Sequence, residues 1–223
     1  ITVTATPDKG YELAYITVDG ERITGSTFRM PDHDVTVSAL FVPVSFPFTD
    51  VKSGDWFYDA VAYVYANGLM DGTGPAAFAP TTVLTRSMAA QVLWNLADSP
   101  AVPGTAGFTD VPSDAWYAGA VNWSASRGIV TGYSTGAFGP EDAVTREQLA
   151  AMLYRYAGEP DGTADLSAYT DAGSVSAYAE KAVQWCVKNG ILTGKTSSTL
   201  APKATATRAE CAAMLQRFAS LTK

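Results

Sequence analysis

The feature that most limits how this chain can fold is an internal repeat of about 60 residues, present three times. The segment FTDVKSGDWFYDAVAYVYANG at 48–68 returns as FTDVPSDAWYAGAVNWSASRG at 108–128 and, with one extra residue, as YTDAGSVSAYAEKAVQWCVKNG at 169–190. In each copy the closing glycine stands 18 residues before an arginine, in the pairs Gly68/Arg86, Gly128/Arg146 and Gly190/Arg208. Such self-similarity indicates one supersecondary unit whose copies pack on one another.

Each unit is predicted to hold two helices joined by a loop rich in Gly, Thr and Pro. The first helix is expected to start at a polar cap before an aromatic residue and to end at the closing glycine, which suits a left-handed C-terminal cap. The expected caps of the first helices are Asp55, Asp114 and Ser176. The second helix is expected to begin at the threonine before the repeated arginine. These threonines are Thr85, Thr145 and Thr207.

The three units are expected to share one core, because two helices cannot bury both of their apolar faces alone. Pseudo-threefold packing, with one helix per unit in a central bundle, meets this need. Trp123 and Trp185, with Tyr63 at the matching position, lie deep in the first helices and are predicted to be core residues. Cys186 and Cys211 fall on apolar helical faces, which favours buried thiols. A bridge between them stays open if their helices pack together.

Residues 1–44 have a different pattern, in which apolar and polar residues alternate. Alternation predicts half-buried strands, and the Asp-Gly pair at 19–20 predicts a hairpin turn. Four short strands are expected, at about 1–6, 12–18, 22–30 and 35–42. The stretch from VTATPDKGYEL to FRMPDHDVTV resembles the internalin-type B-repeats of bacterial surface proteins, which implies a spacer or adhesive module.

The helical repeats resemble the S-layer homology (SLH) domain. The features that carry the resemblance are F-T-D-V, an aromatic residue, an A-V helix, G-[IL]-[VLM]-x-G, F-x-P and T-R-x-[EQ], in that order and in three copies. The resemblance implies a mainly α fold, a pseudo-threefold helical spindle of three SLH units, with a small N-terminal all-β module. The expected domains are the β module at 1–44 and SLH units 1, 2 and 3 at 46–100, 106–160 and 167–223.

SLH modules tether extracellular proteins non-covalently to secondary cell-wall polysaccharide, which often carries pyruvylated sugars. The resemblance therefore implies an extracellular protein of the cell wall or S-layer. The family's full T-R-A-E motif is matched only by Thr207–Glu210. Copy two has Gln148 at the last position, which keeps a capping box, whereas Met88 in copy one cannot complete one.

The repeated arginine occupies the first helical position, where the macrodipole disfavours a cation by roughly a few tenths of a kcal/mol. The neighbouring threonine and Glu or Gln are explained as caps, but the arginine is not. A guanidinium beside unpaired backbone N–H groups would make an anion site suited to a carboxylate. The alternative is a solvated arginine, or one paired with an aspartate of a neighbouring unit. Recurrence at three matched positions favours ligand binding by Arg86, Arg146 and Arg208.

Further candidate ligand residues recur in the repeats. Three aromatic residues are predicted either to stack on sugar faces or to join the core: Trp56, Trp116 and Tyr178. Three aspartates are explained first as caps or turns and second as ligand contacts: Asp50, Asp110 and Asp171. Three loop glycines offer either backbone N–H groups or turn geometry alone: Gly72, Gly132 and Gly194. Lys195 adds charge to the most basic segment, 162–223, which carries +3 in a chain of net charge −7.

The composition argues against catalysis. His33 is the one histidine, which excludes His-based nucleophile activation and multi-His metal sites. No calcium-binding or phosphate-binding loop occurs, so we expect no catalytic residue, no metal and no cofactor. The acidic net charge argues against nucleic acid as a partner. No apolar run approaches the ~18 residues of a membrane span.

The sequence thus predicts a non-catalytic cell-wall anchor that binds an anionic, pyruvylated secondary cell-wall polysaccharide in grooves between units. The alternative is a scaffold whose grooves bind a protein partner or mediate self-association into a surface layer. Because the net charge is negative, binding to an acidic polymer is expected to act at short range, within a Debye length of ~8 Å.

Overall fold

The computed structural model describes residues 1–7, 11–43, 45–102 and 104–221. In these residues a small sheet is followed by helices in pairs. The strands are β1 Tyr11–Val18, β2 Glu21–Ile23 and β3 Val37–Pro43. The helices are α1 Tyr58–Ala66, α2 Arg86–Leu96, α3 Ala118–Ser126, α4 Arg146–Tyr156, α5 Glu180–Lys188 and α6 Arg208–Ala219. Two single 3₁₀ turns, Ala172–Ser174 and Ala177–Ala179, precede α5.

The N-terminal module is an antiparallel sheet in the order β2-β1-β3. Asp19 and Gly20 both adopt positive φ in the turn between β1 and β2, as the Asp-Gly signal predicts. The strand predicted at 1–6 is wrong among the described residues, because this segment joins its neighbour only at an isolated bridge between Thr2 and Thr27. The strand expected at 22–30 is correspondingly short, since pairing with β1 stops at Ile23.

The second helix of every unit begins where the sequence predicts. The side chains of Thr85, Thr145 and Thr207 accept hydrogen bonds from the backbone three residues later. Full capping boxes form at α4 and α6 and not at α2, where Met88 has no carboxylate or amide to return the bond.

The first helices begin later than predicted, and their expected caps are wrong. The N-cap of α1 is Phe57, and no side chain caps it. The Asp55 carboxylate accepts instead from the Lys52 N–H at 2.7 Å, while the Tyr58 N–H donates to the Asp55 carbonyl. An extra turn therefore separates the polar residue from the helix. The same shift leaves α3 and α5 without side-chain caps.

Each unit packs its second helix against the first helix of the next unit, and unit 3 packs against unit 1 in the same way. The main helix contacts are α2 with α3, α4 with α5, and α6 with α1, and α2 makes a smaller contact with α4. At the centre, three buried residues exchange backbone hydrogen bonds of 2.8–2.9 Å: Leu84 N–H to Ala206, Ala206 N–H to Val144 and Val144 N–H to Leu84. Because buried backbone groups need partners, each unit completes the hydrogen bonding of the other two.

The core is continuous across the helices and contains the predicted tryptophans. Trp123, Trp185 and Tyr63 are all buried, which confirms the prediction. Cys186 and Cys211 are also buried, and both thiols are free, so the bridge that the sequence left open is not formed. Burial raises the pKa of each thiol to about 12.

Candidate functional site

The repeated arginines extend out of their own units into the loop of the next one. Arg86 starts α2, yet its Nε donates to the Phe138 carbonyl at 2.8 Å and its Nη2 to the Thr131 carbonyl at 2.7 Å. Its guanidinium also lies over the Phe138 ring, 4.6 Å from the centroid. The side chain is only 7% exposed. Arg86 therefore fastens unit 1 to the loop of unit 2.

Arg208 repeats this arrangement and closes the ring of units. Its Nε donates to the Phe78 carbonyl at 2.8 Å and its Nη2 to the Asp71 carbonyl at 2.5 Å. The residue is 7% exposed, and burial lowers the pKa of its guanidinium. Arg208 thereby fastens unit 3 to the loop of unit 1, which lies 130–137 residues earlier in the sequence.

Arg146 makes the corresponding contacts between units 2 and 3 and one more. Its Nε and Nη2 donate to the carbonyls of Leu200 and Thr193. Its Nη1 donates to Glu210 Oε1 at 3.0 Å, an ion pair in which Lys195 shares the same oxygen at 3.1 Å. Burial lowers the pKa of Arg146, and Glu210 opposes that shift.

The helix N-termini hold no unpaired backbone N–H groups beside these arginines, so that premise of the sequence analysis is wrong. At α2 the Arg86 N–H donates to the Asp142 carbonyl and the Ser87 N–H to the Pro140 carbonyl, each at 2.9 Å. The third N–H, of Met88, donates to Thr85 Oγ1. The loop of the next unit thus caps the helix, and it also explains the arginine, whose carbonyl contacts outweigh the small dipole cost.

The three guanidinium groups differ in which of their nitrogens remain available to a ligand. Among the described residues, Nη1 of Arg86 and Nη1 of Arg208 donate to no acceptor, whereas Nη1 of Arg146 is held by Glu210. Ligand binding by the three arginines stays a prediction. At Arg86 and Arg208 the ligand would use the Nη1 edge of a guanidinium whose other edge is structural, whereas at Arg146 it would compete with Glu210 for Nη1.

Each of the three repeated aspartates accepts hydrogen bonds from two backbone N–H groups in the loop of its own unit. The Asp50 carboxylate accepts from the N–H groups of Phe78 and Ala79 at 2.9 and 2.8 Å, where Ala79 has a φ of +57°. Burial alone would raise the pKa of Asp50, but these backbone bonds dominate and lower it. Asp110 and Asp171 make the same pair of bonds one and two units later. Since none of the three lines a groove, their geometry agrees with the structural explanation.

Three grooves lie between the units, and each is built by all three of them. One unit supplies the glycine loop and second helix, another the arginine, and the third an aromatic residue. Groove 1 is formed by Gly72, α2, Arg208 and Trp116. Groove 2 is formed by Gly132, α4, Arg86 and Tyr178. Groove 3 is formed by Gly194, Lys195, α6, Arg146 and Trp56.

The grooves have volumes of about 770, 350 and 490 Å³ in this order, within the ~300–1,000 Å³ range of small-ligand sites. The core alternative for their aromatic residues is wrong. Trp56, Trp116 and Tyr178 are 65%, 61% and 56% exposed, because the aromatic that follows each of the two tryptophans takes the inward position. Stacking on a sugar stays a prediction, and exposed rings at groove walls have the geometry it needs.

The loop glycines are required by close packing and not by turn conformation. A Cβ on Gly72 would lie 2.5 Å from the Phe48 ring and 2.6 Å from the Ala77 carbonyl oxygen. Gly132 and Gly194 meet equally close neighbours, and none of the three has a positive φ. The turn explanation offered by the sequence is therefore wrong. The loop must approach the aromatic residue beneath it more closely than any side chain allows.

Two groove residues were missed by the sequence analysis. Arg155 lines groove 2 and Arg217 lines groove 3, each half-buried on the second helix. Both stand nine residues after the repeated arginine, where unit 1 has Asn95. Comparison of this position across the three copies would have found them.

The described part of the chain has no cluster of three or more His, Cys, Asp or Glu side chains arranged to hold a metal ion. None of the helices in that part reaches the length and apolar character that crossing a membrane requires.

Comparison with known proteins gives the family. The S-layer homology domain family matches residues 47–89, 107–150 and 168–212, and the divergent InlB B-repeat domain family matches residues 1–45.

Relatives match the chain over only part of their own length. The Surface-layer 125 kDa protein of Lysinibacillus sphaericus is 32% identical over 74% of this chain and 14% of its own length. An endoglucanase of Bacillus sp. is 29% identical over 80% of this chain and 20% of its own length. The Cellulosome-anchoring protein of Acetivibrio thermocellus is 26% identical over 63% of this chain and 33% of its own length. The chain belongs to the S-layer homology domain family and is a cell-surface, cell-wall-anchoring module.

Proposed function

We propose that the module binds an anionic, pyruvylated secondary cell-wall polysaccharide in grooves 1 to 3 and catalyses no reaction. The observation that carries the proposal is the recurrence of one groove design. Each groove has an arginine, a glycine loop packed closely on the aromatic residue beneath it, and an exposed aromatic ring. A ring face and a guanidinium are the two groups that a sugar carrying a carboxylate would engage.

The exposed rings favour a ligand contact because exposure has a cost. Trp116 and Trp56 are 61% and 65% exposed, and each ring packs edge-on against the next aromatic residue in sequence. One exposed ring would need no explanation, but an exposed ring recurs at the wall of all three grooves, and recurring apolar surface beside a groove is typical of a ligand-binding site. A sugar face laid against the ring would remove that surface from water.

The architecture we propose is a pseudo-threefold spindle of three units at 46–100, 106–160 and 167–223, with the β module at 1–44. The cyclic helix contacts and the central ring of three backbone hydrogen bonds support it. In such an arrangement a groove exists only when all three units are assembled. Polymer binding is therefore a property of the whole helical region.

A sedimentation assay tests the proposal. Purified bacterial cell wall should pull the chain down, and the same wall stripped of its secondary polymer should not. The alanine variants of Trp56, Trp116 and Tyr178 should weaken sedimentation, because these exposed rings can be removed without opening the core. Tyr11→Ala, which removes an exposed ring from the β module, is the matched control. Equal binding to stripped wall would overturn the polysaccharide proposal and favour a protein-interaction or self-assembly scaffold.

A further inference from the structure

The three grooves share a design but differ at one position, nine residues after the repeated arginine. In every unit this side chain donates to the carbonyl of the residue that follows the closing glycine. Asn95 Nδ2 donates to Leu69 at 3.1 Å, and Nη1 of Arg155 to Ile129 at 3.4 Å. Arg217 Nη1 donates to the matching carbonyl in unit 3 at 3.4 Å. We call this hydrogen bond the loop tether. All three units have it, but the donor is a neutral amide in unit 1 and a guanidinium in units 2 and 3.

The amide of groove 1 is neutral, and both its oxygen and its nitrogen are engaged by the protein. Asn95 Oδ1 accepts from Gln91 Nε2 at 2.9 Å and from Ser99 Oγ at 3.4 Å, while its nitrogen holds the loop. In grooves 2 and 3 the arginine gives the loop one nitrogen. Among the described residues, Nε and Nη2 of Arg155 and of Arg217 have no acceptor. These two guanidinium groups can therefore still grip a carboxylate.

The charge of the lining residues also separates groove 1 from grooves 2 and 3. Groove 1 holds Arg208 with the Asp71 side chain, and no second cation lines it among the described residues. Groove 2 holds Arg86 and Arg155 with no acidic lining residue among those described; nearby Glu147 is occupied by Lys203 at 2.7 Å.

Groove 3 is the most cationic of the three. It holds Arg146, Lys195 and Arg217 against the single carboxylate of Glu210. Burial and Arg217 both lower the pKa of Arg146, while Glu210 opposes them, so Arg217 and Arg146 lie close enough to interact.

We infer that the grooves are unequal: grooves 2 and 3 take the carboxylate-bearing sugars of the polymer through Arg155 and Arg217, and groove 1 takes a part of the polymer that carries no carboxylate. This inference rests on the proposed polysaccharide binding and names its selective residues. The repeated arginines donate to loop carbonyls and so position the groove. Arg155 and Arg217 bind the carboxylate of the ligand.

Isothermal titration of the purified chain with a defined pyruvylated disaccharide, and with the same disaccharide lacking pyruvate, tests the inference. The wild-type chain should bind two equivalents of the pyruvylated form. Arg155→Asn and Arg217→Asn, which copy groove 1, should each remove one site or weaken it at least about tenfold, and the double variant should remove both. Asn95→Arg should create a third site. Arg127→Asn, at an exposed arginine outside the grooves, is the matched control.

The outcomes separate the two proposals. If the wild-type chain binds three equivalents, or if the double variant binds as well as the wild type, the inequality is wrong while polysaccharide binding stands. If the disaccharide does not bind and intact wall does not sediment the chain, both fail. Thermal unfolding of each variant reports whether the loop tether is kept. Arg155→Lys and Arg217→Lys, which keep the charge, should retain binding more than the Asn variants do.

Discussion

Arg208 and Phe78, 130 residues apart, are joined by a 2.8 Å hydrogen bond from the guanidinium Nε to the carbonyl oxygen. The N–H of the same Phe78 donates to Asp50 in its own unit. One buried peptide segment is therefore held by its own unit through an aspartate and by a distant unit through an arginine. The fold and the groove depend on the same contacts.

The first prediction concerns this contact. Arg208→Ala should lower the free energy of unfolding by about 2–4 kcal/mol, because two buried carbonyls lose charge-assisted hydrogen bonds. Urea denaturation measures the change. Arg127→Ala should change it by less than about 0.5 kcal/mol. A loss below about 1 kcal/mol for Arg208→Ala would show that the contact contributes little. It also follows that alanine at the repeated arginines tests stability together with binding.

The second prediction concerns the glycine loops. Gly132→Ala should destabilise the protein by about 1–3 kcal/mol, because the added methyl group would press into the Phe108 ring and the Ala137 carbonyl. Gly173→Ala is the matched control, since a Cβ there meets nothing within 4 Å and its φ is not positive. Thermal unfolding should separate the two variants clearly. Equal melting temperatures would contradict the packing explanation.

The third prediction is an acid-dependent loss of stability. The carboxyl pKa values of Asp50, Asp110 and Asp171 are lowered in the folded state, mainly by hydrogen bonds from backbone N–H groups working against burial. A lowered pKa contributes stability that is present above the unfolded value of ~3.9 and is lost as the pH falls through the folded value. Unfolding free energy should therefore be steady at neutral pH and decline below about pH 4.

Asp110→Asn provides the check on this dependence. The variant should be less stable at neutral pH and should show a shallower decline in acid, because one of the groups that titrates on unfolding is gone. Urea titrations of both proteins across the acid range give the two curves. Parallel curves would mean that Asp110 does not contribute to the pH dependence.

The fourth prediction concerns the thiols. Cys186 and Cys211 are buried, with pKa values raised to about 12, so almost no thiolate forms at mildly alkaline pH. A colorimetric thiol reagent should label neither cysteine in the native protein and both after denaturation in guanidinium. Rapid labelling of the native protein would show that a unit opens locally.

The sequence by itself determined the features that depend on short stretches. The repeat sets two helices per unit, and the caps at Thr145 and Thr207 form because donor and acceptor lie three residues apart. The buried tryptophans follow from helical spacing. Family membership followed from motif order, since this is also written along the chain.

Only the tertiary structure decided what the repeated arginines do and where the aromatic residues point. The acceptors of Arg208 lie in another unit, so no local pattern reveals that its guanidinium is already held. The position of Trp56 in the repeat is compatible with the core, but its side chain is 65% exposed. Phe57, the next residue, packs against the core instead. The grooves combine residues from three units, and their unequal charge arises because the same tether is made by the neutral Asn95 in groove 1 and by the cationic Arg155 and Arg217 in grooves 2 and 3. Hydrogen bonds and charge act through space, whereas sequence spacing records distance along the chain.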